Sequence, residues 1–162
     1  MLGEWNGFVG GESIAFVSSG VLFGYNNEDT GFDVYQFAVS SSGFQVVADV
    51  ENLLSGFDTT ITAQGGWVFA TDGQALDAST MQPAGQYAAN GSVWPSDDGE
   101  NVWFLTDEPA LVDFGRTTFL QTQSVALPMD IGSGTPTSLV GWSATSFAFR
   151  TDTTVCVVNN GP

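Results

Sequence analysis

Carboxylates are almost the only ionisable groups this sequence offers. Its 162 residues carry 18 Asp and Glu against two cations, Arg116 and Arg150, with no Lys and no His, for a net charge of −16. Without His there is no Ser-His-Asp or Cys-His relay and no imidazole-ligated transition metal. Without Lys there is no Schiff base or P-loop lysine. What survives is a carboxylate pair of the glycosidase type, or a hard cation held by oxygen ligands. The loop from Asn26 to Asp33 gathers such oxygens, and Asn26, Glu28, Asp29 and Asp33 form the candidate set for Ca²⁺. It lacks the alternating Asp-x-Asp-x-Asp-Gly pattern and closing Glu of an EF-hand. The run Asp97-Asp98-Gly99-Glu100 reads as a solvated hairpin turn. Asp72, Asp107 and Asp152 each follow a Thr where a strand should end, the place where Asp starts a turn by accepting backbone N–H groups. Asp77 and Asp113, at comparable places one strand later, take the same reading. No residue is assigned a catalytic role, and the chain is read as a non-enzyme.

The charge also bounds the partners. A polyanion repels phosphate backbones and anionic lipid heads, which excludes nucleic acid and peripheral membrane binding. No window approaches the roughly 18 consecutive apolar residues of a membrane span, so membrane insertion is excluded as well. The segment Met1-Leu2-Gly3-Glu4-Trp5 lacks the basic and apolar regions of a secretory signal, leaving either an intracellular protein or a mature or excised piece of a longer one. The single cysteine, Cys156, has no internal disulfide partner and reads as a buried strand thiol. Arg116, in the turn Gly115-Arg116-Thr117-Thr118, is expected to expose its charge. Arg150 is expected to reach an acidic neighbour. Of the five tryptophans, periodic placement assigns Trp67, Trp103 and Trp142 to the core, with Trp5 and Trp94 as the exceptions where a sugar could stack.

These side chains must be positioned by something, and the sequence repeats. Trp67-Val68-Phe69-Ala70-Thr71-Asp72, Val102-Trp103-Phe104-Leu105-Thr106-Asp107 and Phe147-Ala148-Phe149-Arg150-Thr151-Asp152 share Phe third and a closing Thr-Asp. A looser copy, Val21-Leu22-Phe23-Gly24-Tyr25-Asn26, keeps the Phe, so markers fall at Phe23, Phe69, Phe104 and Phe149, spaced 35 to 46 residues apart. That is the period of propeller blades. Each marker strand is preceded by a short strand and a turn: Ser13 to Val17, Thr59 to Ala63, Ser92 to Trp94 and Ser138 to Trp142. A third strand follows at Val34 to Val39, Gln74 to Asp77, Ala110 to Phe114 and Thr153 to Val158. A fourth is found in three copies only, at Phe44 to Val50, Gly85 to Ala88 and Phe119 to Leu127. Only Val50 to Leu54 offers any competing helical pattern.

The stretches Val21 to Asp33, Leu53-Leu54-Ser55-Gly56-Phe57-Asp58 and Gly134 to Trp142 resemble a bacterial β-propeller repeat family found in large secreted or surface proteins of environmental bacteria. The resemblance runs from about residue 12 to 158, departing at Thr145-Ser146, where that family tends towards Asp-Gly. It implies the fold and an extracellular or cell-surface address, and brings no catalytic or ligand motif with it.

The expected fold is therefore all-β and β-propeller-like, with about four blades at 12–52, 53–90, 91–130 and 131–162, and residues 1–11 as a spare strand. The self-assembly strand is Trp5, Asn6, Gly7, Phe8 and Val9, and the edge that receives it is Val155, Cys156, Val157 and Val158. Closure within one chain gives a four-bladed ring, closure between two half-rings gives about eight blades, and open donation gives a filament. The leading function is a non-enzymatic structural module, a homo-oligomer or polymer whose assembly strengthens with salt or Ca²⁺ as repulsion is screened. A glycan- or cation-binding module stands second and a carboxylate-based hydrolase third. No cofactor is required.

Overall fold

A computed structural model of the chain describes residues 12–28, 30–128, 134, 136–143 and 145–159. They form four antiparallel meanders. Sheet one holds β1 (Ser13–Ser18), β2 (Val21–Tyr25), β3 (Val34–Ser40) and β4 (Gly43–Val50). Sheet two holds β5 (Ile61–Gln64), β6 (Trp67–Ala70), β7 (Gln74–Asp77) and β8 (Gln82–Gln86). Sheet three holds β9 (Gly91–Pro95), β10 (Asn101–Thr106), β11 (Ala110–Gly115) and β12 (Gln121–Ala126). Sheet four is β13 (Thr137–Ser143), β14 (Ser146–Arg150) and β15 (Val155–Asn159). The described residues contain no helix, and none that could cross a bilayer. Val50 to Leu54, the one stretch with a helical pattern, ends β4 and enters a turn.

Side-chain period explains the strand assignments. In β1, Ser13 and Ala15 point to a core while Ile14 and Phe16 point away from it. The second strands of the first three sheets read as apolar runs and are largely buried on both faces. The outer strands β4 and β12 are mostly exposed. Two boundaries differ from those read off the sequence for identifiable reasons. The fourth strand of sheet two is Gln82–Gln86 rather than Gly85 to Ala88, because the Tyr87 N–H turns away to donate to the Gly73 carbonyl at 2.8 Å. β12 starts at Gln121 because Phe119 adopts φ 58° and its N–H closes a turn onto the Gly115 carbonyl at 2.9 Å.

The chain divides into two compact units, one reaching Ala70 and taking in Ala75–Ala84, the other holding Thr71–Gln74 and continuing from Gly85. In the first, Ala15, Phe23, Tyr25 and Val34 of sheet one pack on Ile61, Val68, Ala70 and Leu76 of sheet two, and the Ile61 N–H donates to Ser13 Oγ at 2.8 Å. In the second, Trp103, Leu105 and Leu111 of sheet three pack on Leu139, Phe147 and Phe149 of sheet four, and the Ser138 N–H donates to Ser92 Oγ at 3.1 Å. The same stacking contact is thus built twice.

That recurrence corrects the equivalence drawn from the repeated hexapeptides. Superposing Ser13 on Ser92 places Ala15, paired with Phe23, where Trp94 pairs with Trp103. Trp103 therefore occupies the place of Phe23, and Phe104 lies on the opposite face, against Tyr87 and Phe114. Phe23 faces the sheet that follows it, whereas Phe149 faces the sheet that precedes it. All four markers are buried, as a strand covered on both faces allows whichever way its register falls.

Candidate functional site

The Asn26 to Asp33 loop is closed by its own backbone. The Asn26 N–H donates to the Asp33 carbonyl at 2.9 Å, and Asn26 Oδ1 accepts the Glu28 N–H at 3.2 Å, an Asx turn. Asn27 is buried, with Nδ2 donating to the Thr59 carbonyl at 2.8 Å and Oδ1 lacking a hydrogen bond among the described residues. Asp29 lies outside the described residues. Within them, no three carboxylates or thiols gather in a metal-holding group. The loop unites Asn26 with Asp33 through main chain and leaves Glu28 exposed.

Turn chemistry accounts for the other acidic loops. Asp72 accepts both the Gln74 N–H, at 3.0 Å, and its side-chain Nε2, at 2.8 Å. Asp77 Oδ1 accepts the Ser79 hydroxyl at 2.6 Å and the Ser79 and Thr80 N–H groups at 2.9 and 3.0 Å, which hold its carboxyl below the usual range. Asp98 takes the Ser96 hydroxyl at 2.5 Å and the Glu100 N–H at 3.0 Å, with the same consequence. Asp107 and Asp152 lie in the bends after β10 and β14.

Asp113 departs from that pattern. It sits inside β11 opposite Trp103, 5% exposed, with Oδ2 accepting the Thr122 hydroxyl at 2.6 Å and Oδ1 without a hydrogen bond among the described residues. Burial pushes its carboxyl above the usual range, and the Asp98 charge adds to the effect. The turn reading fails because the strand continues past it, through a bulge at Asp113/Phe114.

Three further expectations are corrected. Arg116 is buried: the turn folds onto the 96–100 hairpin, its N–H donates to the Glu100 carbonyl at 2.9 Å, and its carbonyl accepts the Tyr87 hydroxyl at 2.8 Å. Trp94 is a packing residue, edge-on to Phe147 at 5.5 Å, with Gly141 so close to its ring that a Cβ there would collide. Trp142, assigned to the core by periodicity, is the exposed one. Trp5 lies outside the described residues, with the rest of the proposed assembly strand from Trp5 to Val9.

The receiving edge is described. Among the described residues sheet four ends at β15, where the other three sheets each carry one strand more. Cys156 and Val158 pack against the second core, while Val155 and Val157 point the other way. With Val140 and Trp142 these valines are 53–74% exposed. On β1, Ile14 and Phe16 are 57% and 58% exposed on the face of sheet one turned away from sheet two.

No family model and no curated protein matches the sequence. Solved structures do. The C-terminal WD40 domain of Sif2 matches with a TM-score of 0.59 at 10% identity, over 91% of this chain and 45% of that one. The computationally designed Ika8 protein matches at 0.60 and 15% identity, over 91% and 45%. BamB from Moraxella catarrhalis matches at 0.55 and 15%, over 91% and 46%. The fold is β-propeller-like. The four sheets are its blades, and the chain spans somewhat under half the length of the chains it matches. In this frame the blade with three strands among the described residues is the fourth, and Val140, Trp142, Val155 and Val157 lie on or beside the face it turns away from sheet three.

Proposed function

We propose that this chain is a non-enzymatic structural module that self-associates through β-structure into a ring or filament, at an extracellular or cell-surface location. The observation that supports it is the fourth blade, one strand short of the other three among the described residues. A strand added along β15 would complete the blade with main-chain hydrogen bonds, and Trp5 to Val9 is the segment with the composition for it.

The test is the solution mass of the full chain and of a Phe8→Pro variant. Proline removes a ladder donor and disrupts strand addition. Self-association of the wild type, weakened in the variant, is the expected result; equal masses for the two would remove Trp5 to Val9 from the account.

Glycan binding is a second reading, favoured by one observation, the exposure of Trp142. Quenching or shift of tryptophan fluorescence by a panel of oligosaccharides, lost in Trp142→Ala, would support it.

A further inference from the structure

We infer that the forward face of the fourth blade, centred on Val140, Val155 and Val157, stacks on the backward face of the first blade, Ile14 and Phe16, of a second copy of this chain. This rests on the self-association proposed above and names a blade face, in addition to the β15 edge, as the surface that joins the copies.

In both units a blade gives its forward face to its successor: Ala15, Phe23 and Tyr25 in the first, Trp103 and Leu105 in the second. The successor answers with its backward face, through Ile61, Val68 and Ala70 or through Leu139, Phe147 and Phe149. On blade four the backward face is used and Val140, Trp142, Val155 and Val157 of the forward face are exposed; on blade one the forward face is used, and on the backward face Ile14 and Phe16 of β1 are exposed while Tyr35 and Phe37 of β3 are buried. Each is the kind of face the other requires.

Register defines the two patches. Val140, Ala148 and Val157 form one cross-strand row on blade four, with Val155 two residues along. On blade one, Phe16 lies in a row with Leu22 and Phe37, and Ile14 in a row with Gly24, Tyr35 and Asp49. Four large apolar side chains more than half exposed on one end sheet, in a protein of charge −16, are a binding surface rather than incidental exposure.

Charge gives the match a direction. Exposed Arg150, one of only two cations in the chain, sits beside Val155 in the register of blade four. The blade-one face carries exposed Asp49, whose carboxyl is raised by burial and by the nearby Asp33 and Glu51 charges, a concentration of negative charge that a cation would relieve. Two copies would also supply about the length of the matched propellers, each of which this chain covers to 45–46%. A contact between two different faces closes into a ring or propagates as a filament.

The test uses two full-length variants, Phe16→Glu and Val157→Glu, each blocking one face with a charge at an exposed position. The wild type should have a mass above 17.1 kDa, and each variant should run at 17.1 kDa with an unchanged circular dichroism spectrum. An equimolar mixture should recover a dimer, because Phe16→Glu keeps its blade-four face and Val157→Glu its blade-one face. Variants that each assemble like the wild type, or a mixture that stays monomeric, would overturn the stacking and leave self-association by strand addition in place. A wild-type chain monomeric at all salt concentrations would overturn both.

Discussion

Asp113 shows what a single buried carboxylate does to the pH dependence of this protein. Its ionised form is disfavoured in the fold, so the folded chain binds a proton there more tightly than the unfolded chain does. Stability from this site is therefore greatest below the ordinary carboxylate range and is lost as pH rises through the elevated folded value. Asp77 and Asp98 act in the opposite sense, stabilising above the ordinary value and losing that contribution as pH falls below it. Asp113→Asn should accordingly raise the neutral-pH stability, since it removes the charge that burial penalises. Thermal melts at pH 7 and pH 3.5 check this: the gain should shrink at the lower pH, and a loss at pH 7 would mean that the carboxylate is stabilised by a partner.

At this scale the sequence was partly legible. The hydrogen bonds of Asp72, Asp77 and Asp98 are the turn contacts expected of Asp beside Ser, Thr and Gly. Asp113 was not legible, because the same residue type inside a strand differs from a turn Asp only in what the neighbouring strands bring over it. Arg116 departs from its sequence expectation for the same reason, its burial being made by the hairpin at 96–100 rather than by its own turn.

Strands came through the sequence better than faces did. Gln74 to Asp77 matches β7 in full, and the first strands of the four sheets fall within two residues of their expected starts. The period-2 pattern and the Gly and Asp-Gly turns carry that information locally. Which face of a middle strand meets which neighbour is not local. Both faces of β2, β6 and β10 are apolar, so the Phe-x-Thr-Asp template holds in sequence while Phe104 lies one residue out of step with Phe23. Trp103, occupying the place of Phe23 and lying 4.7 Å from Phe147, is one of the side chains that join sheets three and four. Trp103→Ala should cost about 3–5 kcal/mol. Phe104→Ala should cost a similar amount through its contacts with Tyr87 and Phe114. Denaturant titration of the two variants checks this, and a Trp103 variant as stable as the wild type would contradict the stacking of sheets three and four.

For the molecule as a whole, a net charge of −16 sets long-range repulsion against short-range apolar stacking. Repulsion between exposed carboxylates is screened over about 8–10 Å at physiological salt, while apolar contact is little weakened. Assembly should strengthen as salt rises. The most direct measurement is the mass of the full wild-type chain by light scattering across a salt series. The expected result is a species above 17.1 kDa, a discrete dimer or a polymer, whose share grows with ionic strength. A mass of 17.1 kDa at every salt concentration would contradict the account.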